Sequence, residues 1–191
     1  MTRNARHVEA APQPRLRRLI TGIGGRVRAG AARVASRGRI GGSTHVLFGP
    51  RTRALVLAPG SLSLGTGVVL RGDAQIYVQG ECTFGRDVFV NRWFSLSCYE
   101  AVTIGDRVRI GERVSIHDEN HDTASDVRAF LTERVTLGEA AWIGAGVTIL
   151  PGSTIGAGSI VGAGSVVRGE IPPRSLAAGV PARVIRSLDG Q

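Results

Sequence analysis

The sequence predicts an all-β chain: a parallel β-helix of hexapeptide repeats, preceded by a short basic segment and followed by a C-terminal tail. Three observations predict it. An apolar residue followed by Gly or another small or polar residue recurs every six positions, at Leu64, Leu70 and Ile76, then Phe84, Val90 and Leu96, then Ile104, Ile110 and Ile116. The register resumes at Leu137, Ile143, Ile149, Ile155, Val161 and Val167. A period this short marks a stacked repeat rather than a globular sandwich. Composition agrees, with 27 glycines in 191 residues and only 5% aromatics, a turn-rich and repetitive balance. Finally, no apolar run approaches the roughly 20 residues that would span a bilayer.

Residues 1–45 form the basic segment. The stretch 1–53 carries twelve of the 24 basic residues, all arginine, and one acid, Glu9, for a net +11. The remainder carries twelve arginines against fourteen acids, a net −2, so the chain's +9 is an N-terminal property. Within 15–34, Leu16, Leu19, Ile20, Ile23, Val27, Ala31 and Val34 fall near one helical face. Arg15, Arg17, Arg18, Arg26, Arg28 and Arg33 fill the others. Such a basic amphipathic helix suits an anionic membrane surface. It equally suits a cap over the open edge of a first coil. Gly22, Gly24, Gly25 and Gly30 each cost an isolated helix about 1 kcal/mol. Nucleic acid is the weakest partner here, because the segment lacks aromatics for base stacking.

Residues 46–176 form the β-helix, with first hexad residues pointing inward and glycine permitting the corners. The steps from Ile76 to Phe84 and from Leu96 to Ile104 are two residues too long, and that from Ile116 to Leu137 is fifteen too long. The longest excess, the loop 122–136, begins directly after His121. A long loop on a rigid scaffold is commonly functional. Residues 177–191 form the tail. Cys82 and Cys98 make neither a disulfide framework nor a metal cluster, and fit a reducing, cytoplasmic setting. No secretion signal is expected at the N-terminus.

Two stretches carry the chemistry. They are FGRDVFVNRWFSLSCYEAVTIGDRVRIGERVSIHDENH over 84–121 and WIGAGVTILPGSTIGAGSIVGAGSVVRGEIPPRSLAAGVPARVIR over 142–186. Here the chain resembles the hexapeptide acetyltransferases. It is most similar in kind to the sugar O-acetyltransferases, such as the galactoside and maltose enzymes and those that decorate bacterial polysaccharides. The resemblance covers about 64–188. It implies a left-handed helix with three hexads per triangular coil. The hexads then make five coils, a prism roughly 25 Å tall at about 4.8 Å per coil, and all three excesses bulge from one corner. It implies a homotrimer, with each site shared by two subunits.

The resemblance also assigns roles. His121 matches the general base and Asn91, thirty residues earlier, the residue that helps hold the acceptor. Imidazole titrates near neutrality, which suits it to take a hydroxyl proton while the thioester supplies an activated acyl group. Acetyl-CoA as donor is expected along the C-terminal coils, over Gly144, Ala145, Gly162 and Ala163 and beside Trp142. Arg168, Arg183 and Arg186 are expected to meet its phosphates. Glu100 and Asp118 are both candidates to orient the imidazole, and His117 reads as a surface residue of the corner. Two departures bear on the acceptor. The stretch Ser97-Cys98-Tyr99-Glu100 lacks the sugar-contacting Asp of the galactoside enzymes, and the Arg-rich segment replaces their long helical N-terminus.

The expected function is therefore a CoA-dependent O-acyltransferase, an acetyltransferase acting on a hydroxyl of a sugar or polysaccharide precursor. The alternatives are an N-acyltransferase on an amino sugar and a non-catalytic β-helix scaffold. A zinc hydratase on the same prism would need three histidine ligands. With four histidines, of which His7 and His45 lie outside the main repeats, that site is not completed, and no metal is expected. Cys98 reads as a small buried side chain rather than a nucleophile. The expected location is the cytoplasm, with the inner face of the membrane as the place a basic helix would attach.

Overall fold

The computed structural model describes residues 15–123 and 130–189, with side chains from Gly24 onward. The described residues begin with a helix, Arg15–Ala35, and then wind through three parallel sheets that form the sides of a prism. The first sheet takes Ile40–Gly42, Ser61–Leu64, Glu81–Phe84, Ala101–Ile104, Val135–Leu137, Thr154–Ile155 and Glu170–Ile171. The second takes Leu47–Phe48, Val69–Leu70, Phe89–Val90, Arg109–Ile110, Trp142–Ile143, Ile160–Val161 and Ser175–Gly179, closed by the antiparallel Ala182–Ser187. The third takes Arg53–Val56, Gln75–Val78, Ser95–Cys98, Ser115–His117, Thr148–Ile149 and Val166–Val167. Six coils are complete among the described residues, and a seventh supplies strands to the first two sheets.

The hexad register becomes three columns. On the first sheet Leu64 pairs with Phe84, Phe84 with Ile104, Ile104 with Leu137 and Leu137 with Ile155. On the second, Leu70, Val90, Ile110, Ile143 and Val161 stack in the same way. On the third, Ile76, Leu96, Ile116, Ile149 and Val167 do so. Each of these residues is 2% exposed or less, and the residue two positions before it, such as Val88 before Val90 or Phe94 before Leu96, is buried with it. A single coil could not bury its own inward residues. Burial comes from the stack.

The prism is taller than the sequence expectation of five coils. The additional first coil begins at Ile40, with Ile40, Phe48 and Val56 buried inside it. Its third side presents Ala54 opposite Ile76, a weak inward signal that hides the period. Gly42 shows how tightly coils stack, since a Cβ there would lie 2.1 Å from the Leu64 carbonyl oxygen. At the other end, the stretch expected as a tail contains the hairpin Ser175–Gly179 with Ala182–Ser187.

The helix lies against the edge strand Leu47–Phe48 of the first coil. Gly25 approaches Leu47 closely, Ala29 is buried, and the Arg28 Nε donates to the Phe48 carbonyl at 2.8 Å. Arg33 donates to the Ser43 carbonyl, and the Ser36 hydroxyl accepts from the Ile40 N–H at 3.1 Å. These contacts occupy edge groups that would otherwise face an open sheet end. No described helix is long and apolar enough to cross a membrane.

Candidate functional site

A groove of about 540 Å³ runs over the second sheet and its corner toward the third. In that sheet the outward residues Phe89, Arg109, Trp142 and Ile160 stand in register on successive coils. Each strand is followed at the corner by the small or polar residues of its hexad: Asn91, then Gly111-Glu112, Gly144-Ala145 and Gly162-Ala163. All of these line the groove. Trp142 is 55% exposed and forms a free-standing wall. The floor is nearly bare backbone, because Gly144 and Gly162 cannot carry a Cβ. One at Gly144 would sit 2.6 Å from the Ala163 nitrogen, and one at Gly162 would sit 2.9 Å from the Ala178 Cβ. An extended thioester arm fits such a floor. It needs length, one aromatic wall and little bulk beneath it.

Asn91 therefore lies in the same groove as Trp142, Gly144, Ala145, Gly162 and Ala163. Its Nδ2 donates to the Glu112 carboxylate of the next coil at 2.9 Å, and its Oδ1 accepts from the Arg92 N–H at 3.0 Å. Glu112 is a groove residue that the sequence reading missed. Its signal was the corner position one coil after Asn91.

His121 leaves the prism elsewhere. The third-to-first corner, which carries the two-residue excesses, also carries a hairpin of Glu119–His121 with Phe130–Thr132. The expected loop 122–136 is thus partly strand, and its residues 124–129 lie outside the described residues. His121 pairs with Phe130, ring centroids 4.9 Å apart. Phe130 stands 4.6 Å from the Tyr99 ring, and Tyr99 stands 5.4 Å from Tyr77. Three aromatic rings thus run down the side of the prism from the exposed imidazole. Sequence spacing gave no sign of this row, because Tyr77 and Tyr99 belong to different coils and Phe130 to the insertion. Asn91 and His121 are separated within one protomer by the whole third sheet.

Asp118 holds the base of this corner. It is completely buried, and its carboxylate accepts from the Tyr99 N–H at 2.7 Å and the Glu100 N–H at 2.9 Å. Its own carbonyl accepts from the Glu133 N–H at 2.8 Å, closing the foot of the hairpin. Burial pushes its carboxyl above the usual range, and the backbone N–H groups pull against that shift. Of the two acids weighed as partners of the imidazole, Asp118 is committed to the Tyr99–Glu100 turn.

His117 and Glu119 form a half-buried pair, Nδ1 to Oε1 at 3.5 Å. They share a cavity of about 440 Å³ with Asn120, Leu131, Glu133, Leu150, Pro151 and Arg168. Arg168 thus faces the third-to-first corner, away from the groove. Arg183 and Arg186 lie on the strand Ala182–Ser187, which ends the groove's own sheet. The Glu119 hydrogen bond raises His117 above the ordinary imidazole value, against the effect of burial. Burial pushes Glu119 up, but the hydrogen bonds from His117 and Ser97 outweigh it and hold the carboxyl low. His117's contribution is complete below its unfolded value, about pH 6.5, and is lost as pH rises through its raised folded value. Glu119's is complete above about pH 4.3 and is lost as pH falls through its lowered one. His117→Gln should therefore cost more thermal stability at about pH 5.5 than at about pH 8.5. Equal losses in Tm at the two pH values would rule the pair out as a contributor.

Cys98 is buried beside Cys82, and the hydrogen bond between them and burial raise the Cys82 thiol well above its ordinary value. Neither is placed as a nucleophile. Among the described residues no group of three His, Cys, Asp or Glu side chains is arranged to hold a metal ion.

Residues 134–169 match the family model described as bacterial transferase hexapeptide (six repeats). A curated Escherichia coli K12 protein, named "Putative lipopolysaccharide biosynthesis O-acetyl transferase", is 38% identical over 146 residues, 68% of this chain and 74% of the relative. A hexapeptide-repeat acetyltransferase of Vibrio cholerae, solved with acetyl coenzyme A, superposes with a TM-score of 0.57 at 27% identity, covering 84% of this chain and 78% of that one. A galactoside acetyltransferase solved with coenzyme A gives a TM-score of 0.56 at 25% identity, covering 93% of this chain and 92% of that one.

Proposed function

Because the chain belongs to the bacterial hexapeptide-repeat transferases, as a relative of their O-acetyltransferases, we propose that it works as a homotrimer transferring acetyl from acetyl-CoA to a hydroxyl of a sugar or polysaccharide precursor. The observation that carries this reading is the groove itself. Six residues expected from sequence to serve donor and acceptor, Asn91, Trp142, Gly144, Ala145, Gly162 and Ala163, line one channel with a backbone floor.

The base, His121, lies on another corner, so one protomer holds half a site. A neighbouring prism with a parallel axis would bring its His121 hairpin against this groove, which is why the reading requires assembly. Arg183 and Arg186, at the end of the groove's sheet, would meet the donor's phosphates. Arg168 would serve the groove of the neighbouring protomer, since it shares its corner with the His121 hairpin.

The reaction needs few groups. The His121 imidazole accepts the proton of the acceptor hydroxyl as its oxygen attacks the thioester carbonyl carbon. The tetrahedral intermediate collapses with cleavage of the carbon–sulfur bond, and the proton passes from His121 to the departing thiolate. Asn91, its side chain held by Glu112, supplies an oriented amide beside the acyl group. The rings of Phe130, Tyr99 and Tyr77 provide apolar faces beside the base, on which the C–H face of a pyranose can stack.

Release of free CoA from acetyl-CoA should depend on an added acceptor, tested across a panel of sugars and amino sugars. An ester product is expected. An amide product would transfer the reading to an amino acceptor, and no acceptor-dependent release would end it. Light scattering on the active sample should give three chains, and an active monomer would refute the shared site.

A further inference from the structure

The N-terminal helix docks by the side opposite its apolar stripe, which leaves that stripe facing away from the prism. The docked residues are Gly25, Ala29, Ala32 and Ser36, spaced i, i+4, i+7 and i+11, with Ala29 5% and Ser36 9% exposed. Val27, Ala31 and Val34 repeat at the same spacing two residues out of phase. At about 100° per residue, that phase places them on nearly the far side of the helix. Val27 is 66% and Val34 81% exposed, high values for aliphatic residues on a packed helix. In the sequence the stripe continues back through Ile23, Ile20 and Leu16, and the helix itself begins at Arg15. Arg26 and Arg28 stand one residue to either side of Val27; Arg26 is exposed beside the stripe, whereas the Arg28 Nε is turned to the Phe48 carbonyl.

We propose that this helix is a surface-seeking element, its outer face lying in the interface of an anionic phospholipid bilayer while its inner face stays docked on the first coil. Three features select a membrane over other occupants. The stripe is apolar with basic residues beside it, the pattern of a helix that lies in the headgroup boundary without crossing it. Arg26 flanks the stripe within a segment of net +11, which an anionic surface attracts. A second copy of the same helix would bring the segment's arginines against one another, so self-association through this face is disfavoured. Nucleic acid would have no use for the stripe, and the segment has no aromatic ring for base stacking. The prism is thereby held with its axis fixed relative to the bilayer by a rigid joint, since Arg28, Arg33 and Ser36 all bond the first coil. This placement does not depend on the acyl-transfer reading, and a chain that bound no CoA would still partition.

The test is flotation of the full chain with vesicles of phosphatidylcholine alone and of phosphatidylcholine with phosphatidylglycerol. Binding to the anionic vesicles is expected, falling at least tenfold on raising salt from 50 to 500 mM, with little binding to the neutral ones. The double variant Val27→Glu with Val34→Glu changes only exposed positions, so it should keep its thermal transition and CoA binding while losing at least tenfold in anionic-vesicle binding. Equal binding to both vesicle types, or none to either, overturns the proposal. So does an unaltered double variant, which would leave simple charge adsorption. A change of oligomeric state in the double variant without vesicle binding would assign the stripe to a second copy instead.

Discussion

Replacing His121 with Ala is expected to lower kcat by about 10²–10⁴-fold, equivalent to about 3–5 kcal/mol of transition-state stabilisation. The affinity for CoA should change little. The separation follows from position. The groove lined by Trp142, Gly144 and Gly162 lies along the second sheet, whereas His121 stands on a hairpin at the far edge of the third. Removing the imidazole deletes a proton acceptor and one ring of an exposed aromatic row, and it changes none of the residues that form the floor and wall of the groove. The outer strand of the hairpin should persist, because the Glu133 N–H remains bonded to the Asp118 carbonyl. The decisive measurements are single-turnover acetyl transfer and CoA binding on the same preparation. Near-normal kcat in the variant would remove His121 as the base. Parallel loss of CoA binding would mean that the two corners are not independent.

Asp118→Ala should be the most damaging single change outside the apolar column, costing about 3–5 kcal/mol of stability. Its carboxylate is buried and satisfies the N–H groups of Tyr99 and Glu100 directly, with Ala101 also contributing. Each buried donor left without an acceptor costs about 1–3 kcal/mol, and the corner between coils has little freedom to turn them to water. For a chain of this length Tm should fall by about 2–4 °C for each kcal/mol lost. Asp118→Asn keeps one carbonyl oxygen and should recover part of the loss. Because the turn carries Tyr99, which touches both Tyr77 and Phe130, acceptor KM should rise in either variant more than CoA affinity falls. Calorimetry together with a KM-against-kcat comparison reads both consequences. Stability within about 1 kcal/mol of the parent would show that solvent satisfies the turn instead.

The two residues show what was legible. His121 was singled out in the sequence by its place after a third hexad, by the longest break in the register that follows it, and by the resemblance to the hexapeptide acetyltransferases. Asp118, three residues earlier, read from sequence only as one of two candidates to orient the imidazole. Its importance comes from the coil before it, whose backbone donors it meets only after stacking.

By itself the sequence determined which residues turn inward. The hexad rule is local, each coil repeats it, and every apolar residue from Leu64 to Val167 that obeys it is buried. Only the tertiary structure decided neighbours. It put Asn91 beside Trp142 and away from His121, because the corner a side chain occupies depends on how many strands precede it in the coil. It lined Tyr77, Tyr99 and Phe130 into one row, because coil-to-coil register joins positions some twenty to thirty residues apart. It also chose which face of the N-terminal helix would dock. Gly25 and Ala29 let the helix axis approach Leu47 more closely than valines could, so shape prevailed over hydrophobicity and the apolar stripe was left outside.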